Sequence, residues 1–164
     1  MTSHNQDPTM QRRPLLALSA WIVACFAASA IGAFFMPGEW YAQLAKPTWN
    51  PPNWVFGPVW TALYLMMAVA AWRVWRLGGF GDQRRPLTLF FIQLALNAAW
   101  SPIFFGLKNP AFAFAEILLL WLAISLTIAA FRRVDRLAAG LLAPYLAWVT
   151  FASALNFTLW RLNA

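Results

Sequence analysis

The side chains of this sequence that could support chemistry are tryptophans and amides placed at helical intervals within apolar stretches. Gln93, Asn97 and Trp100 are separated by four and three residues, and Phe104 follows after four more, so on a helix they share one face. Two further faces carry Trp60, Tyr64, Met67 and Ala71, and Pro144, Trp148, Ala152, Leu155 and Asn156. Three such faces could converge on an apolar pocket with indole walls and a few hydrogen-bonding amides.

The same residues also have a purely structural interpretation. Gln93, Asn97 and Asn156 could simply hydrogen-bond between membrane helices. Tryptophans near the ends of apolar runs favour the lipid headgroup region and are interpreted as anchors: Trp21, Trp54, Trp72, Trp75 and Trp160. For Trp60, Trp100 and Trp148 the spacing leaves both interpretations open.

Residues for conventional acid–base or metal catalysis are missing from the sequence. His4 is the one histidine, and Cys25, the one cysteine, lies in an apolar run and is interpreted as a small buried hydrophobe. We therefore predict no metal site and no conventional catalytic residue.

Glu116 lies within another apolar run, where its carboxyl could relay protons or meet a ligand cation. It could equally reach back to Lys108 or to water.

Five apolar runs dominate the chain, which is 62% hydrophobic and 10% charged. Each is close to the ~20 residues that a helix needs to cross a bilayer. We predict an all-α membrane protein: a polar tail over 1–14, then a five-helix transmembrane domain over 15–164. The predicted helices cover about 15–36, 55–75, 87–107, 111–131 and 140–160. The first run also resembles a cleavable signal, but its length favours a retained helix.

The net charge of +7 is a topology signal rather than a sign of nucleic-acid binding. With five spans, one side of the membrane carries nine of the twelve basic residues, namely Arg12, Arg13, Arg73, Arg76, Arg84, Arg85, Arg132, Arg133 and Arg136. The positive-inside rule then places the N-terminus in the cytoplasm and the C-terminus outside, with a bacterial inner membrane as the expected location.

The connection between the first two spans, within residues 40–64, is rich in tryptophan and proline. Pro47, Pro51 and Pro52 fix backbone angles and remove hydrogen-bond donors, so a stiff, non-helical loop is predicted. Its flat side chains could anchor the chain at the interface or form a lid over a flat, apolar ligand.

Three stretches resemble the tryptophan-rich sensory protein / translocator protein family, also called peripheral-type benzodiazepine receptors. They are GEWYAQLAKPTWNPPNWVFGPVWTALY, QLALNAAWSPIFFG at 93–106 and PYLAWVTFASALNFTLWRLN at 144–163. The resemblance covers about residues 32–161. It implies a five-helix bundle, usually a homodimer, with a pocket between helices 1, 2, 4 and 5 beneath the first loop.

The resemblance also implies ligands and site residues. Family members bind porphyrins such as protoporphyrin IX, and haem is a related expected ligand; they also bind isoquinoline and benzodiazepine drugs and, in mitochondria, cholesterol. The positions that match the family's pocket are Tyr41, Trp60, Asn97, Trp100, Trp148 and Ala152. Secondary lining positions are Ala33, Phe56, Phe112, Ala115, Leu119 and Leu155. Some bacterial relatives degrade protoporphyrin in light, which would involve Trp60 and Trp148.

Two departures from the family pattern qualify these expectations. Phe157 replaces the tyrosine of the family's sterol segment, so cholesterol binding is expected to be weak or absent. Glu116 stands where an aspartate is common.

The leading hypothesis is a tetrapyrrole-binding sensor or translocator in the membrane. The alternatives are an enzyme for light-dependent breakdown of bound porphyrin, and a structural membrane protein without a ligand.

Overall fold

The computed structural model describes residues 8–35 and 37–164, with side chains from residue 15 onward. All regular secondary structure in these residues is helical. In chain order the helices are α1 (Pro8–Ala33), α2 (Glu39–Gln43), α3 (Asn53–Trp75), α4 (Gly79–Asp82), α5 (Arg84–Ser101), a π-helix (Pro102–Gly106), α6 (Pro110–Arg132), α7 (Arg136–Leu141) and α8 (Ala143–Leu162).

Five helical segments of the described residues are long and apolar enough to cross a membrane. They are Leu15–Ala33, Asn53–Trp75, Arg84–Gly106, Pro110–Arg132 and Arg136–Leu162. Backbone polar groups in hydrocarbon have no water to bond, so a helix satisfies them within the segment. The predicted all-α protein with five transmembrane helices is confirmed.

The helix ends differ from the predicted ones in ways that local chemistry explains. Residues 8–14, predicted as part of a polar tail, continue α1, whereas residues 1–7 and 36 lie outside the described residues. The fifth span is divided at Leu142 because Pro144 in the first turn of α8 cannot donate a backbone hydrogen bond to α7. The third span ends in the π-helix, which also begins with a proline.

The loop between α1 and α3 was predicted to be non-helical throughout, and this is wrong for residues 39–43. They form α2, whose Tyr41 is buried. The prolines of the loop begin only at Pro47, so nothing in 39–43 prevents a helical turn. We refer to residues 37–52 as the lid.

Two polar clusters fasten the lid. The Asn163 side chain accepts a hydrogen bond from Ala45 N at 2.9 Å and donates one to Ala45 O at 3.0 Å. The Lys46 ammonium donates to the carbonyl oxygens of Tyr41, Ala42 and Leu44 at 2.6, 3.1 and 3.1 Å. The first cluster ties the lid to the end of α8, and the second closes the C-terminal end of α2.

Helix packing relies on small side chains and rings. A Cβ at Gly32 of α1 would lie 3.2 Å from Ser101 Oγ, so α1 approaches α5 closely there. Trp21 is 6% exposed and packs against Phe90 and Phe91, so its interpretation as an interfacial anchor is wrong. Cys25 is fully buried, as predicted.

Most hydroxyl groups in the spans bond to their own helix. Serine and threonine side chains donate to the carbonyl four residues earlier at Ser19, Thr61, Ser125, Thr127, Thr150, Ser153 and Thr158. These bonds satisfy the hydroxyl donors in an apolar medium without linking one helix to another.

The end of the bundle that lies opposite the lid is called the arginine end, after Arg73, Arg76, Arg84, Arg85, Arg132, Arg133 and Arg136. An ion pair joins two helices there. Arg73 of α3 contacts the Asp135 carboxylate at 2.8 Å, and that carboxylate also caps α7 by accepting from Leu137 N and Ala138 N. Burial opposes ionisation of Asp135, but the backbone bonds from Ala138 and Leu137 and the Arg73 guanidinium outweigh it, so its pKa lies below the ordinary value.

We expect the charge of Asp135 to stabilise the bundle at neutral pH. Because its pKa is lower in the folded state, this stabilisation is present above the unfolded pKa of about 3.9 and is lost as the pH falls through the folded value. Asp135→Asn keeps a capping oxygen but removes the charge. The melting temperature in detergent should therefore drop at pH 7, and the deficit should shrink as the pH falls below about 4 and vanish only below the folded pKa.

The matched control is Asp82→Asn, which removes an exposed carboxylate at the same end of the bundle. It should change the melting temperature little at either pH. A deficit of Asp135→Asn that is as large at pH 3 as at pH 7 would contradict the assigned role.

Candidate functional site

A cavity of about 630 Å³ lies beneath the lid, between those halves of the membrane-spanning helices that are nearer to the lid. Its volume falls within the roughly 300–1,000 Å³ of small-molecule pockets. Helices α1, α3, α5, α6 and α8 all contribute to its wall, and Tyr41 of the lid closes it from above. The pocket implied between spans 1, 2, 4 and 5 thus also draws on the third span.

All six primary positions of the predicted site line this cavity. They are Tyr41, Trp60, Asn97, Trp100, Trp148 and Ala152. Three of the secondary positions, Ala33, Phe56 and Leu155, line it as well. The structure therefore brings together side chains that lie more than a hundred residues apart in the chain; their role in ligand binding stays a prediction.

The other three secondary positions lie away from the cavity. Phe112, Ala115 and Leu119 are exposed on the outer face of α6. The residues of α6 that line the cavity are Ile117 and Leu120, on the opposite side of that helix. The expected placement of these three positions in the pocket differs from the structure because α6 is rotated to turn Ile117 inward.

The three predicted faces converge on the cavity, apart from four of their residues. Met67 and Ala71 are fully buried in the core beyond the cavity, and Gln93 is buried without lining it. Pro144 is exposed. Trp60, Tyr64, Asn97, Trp100, Phe104, Trp148, Ala152, Leu155 and Asn156 line the cavity.

Sequence reasoning missed lining residues on the first two spans. Gly57 and Thr61 precede and follow Trp60 on the same side of α3, and Ser29 lies one turn before Ala33 on α1. The spacing rule that grouped Trp60 with Tyr64 would also have found Gly57, three residues earlier.

The Asn97 amide is the centre of a hydrogen-bond network at the cavity. Tyr64 of α3 donates its hydroxyl proton to Asn97 Oδ1 at 2.5 Å, and Asn97 Nδ2 donates to the Tyr145 hydroxyl of α8 at 2.9 Å. Asn97 is 7% exposed, Tyr64 6% and Tyr145 0%. Since an unmade buried bond is costly in this medium, the network fixes three helices relative to one another.

A second amide fixes the wall nearer the lid. Asn156 Oδ1 accepts from Trp100 Nε1 at 3.1 Å, and Asn156 Nδ2 donates to Pro110 O at 2.8 Å. The Trp100 ring in turn stacks on Phe104, with centroids 4.9 Å apart and planes 22° apart. The orientation of this indole is therefore set from both its edge and its face.

Aromatic contacts also join α3 to α8. Trp60 lies 5.5 Å from the Tyr64 ring and 6.2 Å from the Tyr145 ring, and Phe56 lies 5.8 Å from Trp148. Such tilted and edge-to-face pairs are favourable because ring faces are negative and edges positive. They give the cavity fixed, flat walls.

The lid places Tyr41 over the cavity. Its hydroxyl donates to Asn50 Oδ1 at 3.3 Å, and its ring packs edge-on against Phe104 and Phe105. Burial raises the pKa of Tyr41, partly offset by the bond to Asn50, so the phenol is neutral at physiological pH.

Among the residues that the structure describes, none that lines the cavity carries a charge. The Glu116 carboxylate and the Gln93 amide are buried beside it without a hydrogen-bond partner in the described residues. Nor does any group of three His, Cys, Asp or Glu in this part of the chain come close enough to hold a metal ion. The arrangement suits a flat, apolar molecule held by ring faces.

Comparison with known proteins agrees with the bundle and its aromatic cavity. Residues 21–161 match the TspO/MBR family. The chain is 46% identical over 143 residues to a tryptophan-rich sensory protein of Cereibacter sphaeroides, covering 87% of this chain and 89% of that protein. It is 47% identical over 146 residues to a translocator protein of Homo sapiens, covering 86% and 84%.

A similar match extends to an archaeal relative. A tryptophan-rich protein TspO of Archaeoglobus fulgidus is 44% identical over 153 residues, covering 92% of this chain and 99% of that protein. The family match over residues 21–161 contains the cavity residues of α3, α5 and α8 together with the lid. This chain is a member of the TspO/MBR family of membrane proteins.

Proposed function

We propose that this protein is a tetrapyrrole-binding sensor or translocator that holds a porphyrin between Trp60, Trp100 and Trp148 beneath the lid. The observation that supports this most strongly is the uncharged cavity, whose walls are indole and phenol rings. A porphyrin is flat and apolar, and each aromatic pair adds ~0.5–1.5 kcal/mol beyond the burial of apolar area.

The polar groups of the cavity rim suggest where the carboxylates of a porphyrin would lie. Lys46 is engaged by three backbone carbonyls, so it is not available as an ion-pair partner. Asn53 is exposed at the mouth of the cavity. We propose that the propionates point outward past Asn53 toward water and lipid headgroups, where they need no buried counter-charge.

Metal-free protoporphyrin IX is the preferred ligand over haem. Protein-bound haem takes its axial ligand from His, Cys, Met or Tyr. Of these, the described lining of the cavity offers only Tyr41 and Tyr64, and both hydroxyls already bond to asparagine.

A second function, light-dependent breakdown of the bound porphyrin, is favoured by the surroundings of Trp60. Its indole contacts Tyr64 and Tyr145, so three oxidisable rings adjoin one another at the cavity. In this alternative, light would excite the porphyrin, Trp60 would exchange an electron with it, and molecular oxygen would be the oxidant.

The binding proposal predicts saturable quenching of tryptophan fluorescence by protoporphyrin IX in nanodiscs. Trp148→Phe should raise the Kd about 2- to 10-fold, because one stacked indole contributes ~0.5–1.5 kcal/mol. The Kd is taken from the saturation curve, since removing an indole also lowers the total signal.

Trp121→Phe is the matched control, because Trp121 is 39% exposed on the outer surface and donates to Thr150 away from the cavity. It should leave the Kd unchanged. Unsaturable quenching, or equal Kd values for both variants, would favour a structural protein whose tryptophans act only as anchors.

Illumination separates binding from breakdown. A binder should leave the Soret band of bound protoporphyrin IX as stable as that of the free porphyrin in empty nanodiscs. Breakdown by the protein should bleach it to a new product, and Trp60→Phe should slow that bleaching at least tenfold while porphyrin remains bound. Equal bleaching in wild type, in the variant and in empty nanodiscs would exclude the enzyme.

We also propose that the arginine end faces the cytoplasm of a bacterium and that the lid faces outward. Arg73, Arg76, Arg84 and Arg85 lie at the arginine end, with Arg132, Arg133 and Arg136, and cytoplasmic loops carry such an excess. A homodimer remains the expected assembly.

Phe157 is 44% exposed and offers no hydroxyl to a sterol, consistent with weak cholesterol binding.

Cysteine labelling tests this orientation. The native Cys25 is fully buried and should not react with the label, so only an introduced cysteine gives a signal. Thr48→Cys in the lid should react with a membrane-impermeant maleimide in right-side-out spheroplasts. Asp82→Cys at the arginine end should react only after lysis. The reverse pattern would invert the topology.

A further inference from the structure

We infer that ligands reach the cavity sideways from the hydrocarbon of the membrane, through a portal between α1 and α3. This inference rests on the proposed porphyrin binding, and it concerns the route rather than the affinity. It follows from where the wall of the cavity is closed and where it is open.

The open part of the wall is confined to one place. The exposed lining residues lie at the end of α1, at the first residue of the lid and at the beginning of α3: Ala33, Phe35, Pro37, Asn53, Trp54, Gly57 and Thr61. Trp54, at the edge of this opening, is 74% exposed. The lining residues of α5, α6 and α8 are all buried or half-buried.

The opening extends into the depth of the membrane. From Asn53 to Thr61 a helix rises ~12 Å at ~1.5 Å per residue, and both ends of this stretch are exposed and line the cavity. Thr61 lies within the span Asn53–Trp75, just past its first two turns. Below the opening, the Phe26 ring of α1 meets the Tyr64 ring of α3 at 5.9 Å and closes the gap.

Small side chains border the opening on both sides. Ser29, Gly32 and Ala33 line the cavity from α1, and Gly57 and Thr61 line it from α3. These small side chains favour the edge-on passage of a planar molecule. Between α3 and α8, by contrast, the ring pairs Phe56–Trp148 and Trp60–Tyr145 close the wall.

The route through the lid is fastened. Asn163 holds both backbone groups of Ala45, and Trp49 packs against Phe151 of α8 at 5.8 Å. Passage from above would break these contacts, whereas passage through the portal breaks none of them. Because a porphyrin partitions into the bilayer, the portal also opens where its concentration is highest.

Gly57 provides a direct test of the portal. A Cβ built at Gly57 meets no other atom within 4 Å, so Gly57→Leu can be accommodated and would narrow the opening. Gly140→Leu is the matched control, because a Cβ there also meets nothing within 4 Å and the residue lies in α7 at the arginine end.

The experiment uses the full chain in nanodiscs with protoporphyrin IX as the probe. Association is followed by tryptophan quenching after mixing with porphyrin-loaded vesicles, and dissociation by its recovery after mixing with excess empty vesicles. We expect Gly57→Leu to slow both rates at least tenfold, whereas a mere loss of cavity contacts would speed dissociation. Gly140→Leu should behave as wild type.

A second variant distinguishes the portal from the lid. If porphyrin passed through the lid, untying it with Asn163→Ala would restore fast exchange in the Gly57→Leu background. The portal predicts that the double variant stays as slow as Gly57→Leu alone. Unchanged rates in Gly57→Leu, or a weaker Kd from faster dissociation alone, would overturn the portal. Absence of saturable binding in wild type would instead overturn the proposed function.

Discussion

The Asn97 amide is the interaction on which the geometry of the cavity depends. Its oxygen accepts from Tyr64 and its nitrogen donates to Tyr145, so one side chain sets the spacing of α3, α5 and α8. In a medium without water, each of these three groups would be left unsatisfied if its partner moved away. The Trp60 ring lies against both phenols, and so the position of this wall of the cavity follows from the same amide.

The lid and the bundle are held by different kinds of contact. Within the bundle, rings and small residues pack closely, and the amides of Asn97 and Asn156 are among the polar ties between helices. The lid instead depends on backbone groups: Asn163 pairs with Ala45, and Lys46 collects three carbonyls at the end of α2. Its prolines limit the number of conformations available when these bonds break, because each fixes one backbone angle.

Much of the fold and of the cavity could be predicted from the sequence, because apolar length and helical spacing both have direct physical meaning. Spacing grouped Trp60 with Tyr64 and Asn97 with Trp100, and these residues do share the cavity. Spacing makes no prediction for α6, which is apolar all round and has no polar face to mark its outer side. The positions of α6 that lie away from the cavity were expected only from the family resemblance. The inward turn of Ile117 on α6, which leaves Leu119 outside, is set by packing against α5 and α8. The burial of Trp21 likewise depends on Phe90 and Phe91 of another helix.

The hydroxyls that bond within their own helices affect how this protein tolerates mutation. Because groups such as Ser125, Thr127 and Ser153 each bond to a carbonyl of their own helix, they carry no information about which helix lies next to them. Exchanging them for alanine would remove few of the contacts that specify how the helices pack. Those contacts are made by a handful of amides, rings and closely packed glycines. The sequence of the spans can therefore diverge widely while the helix order and the cavity persist.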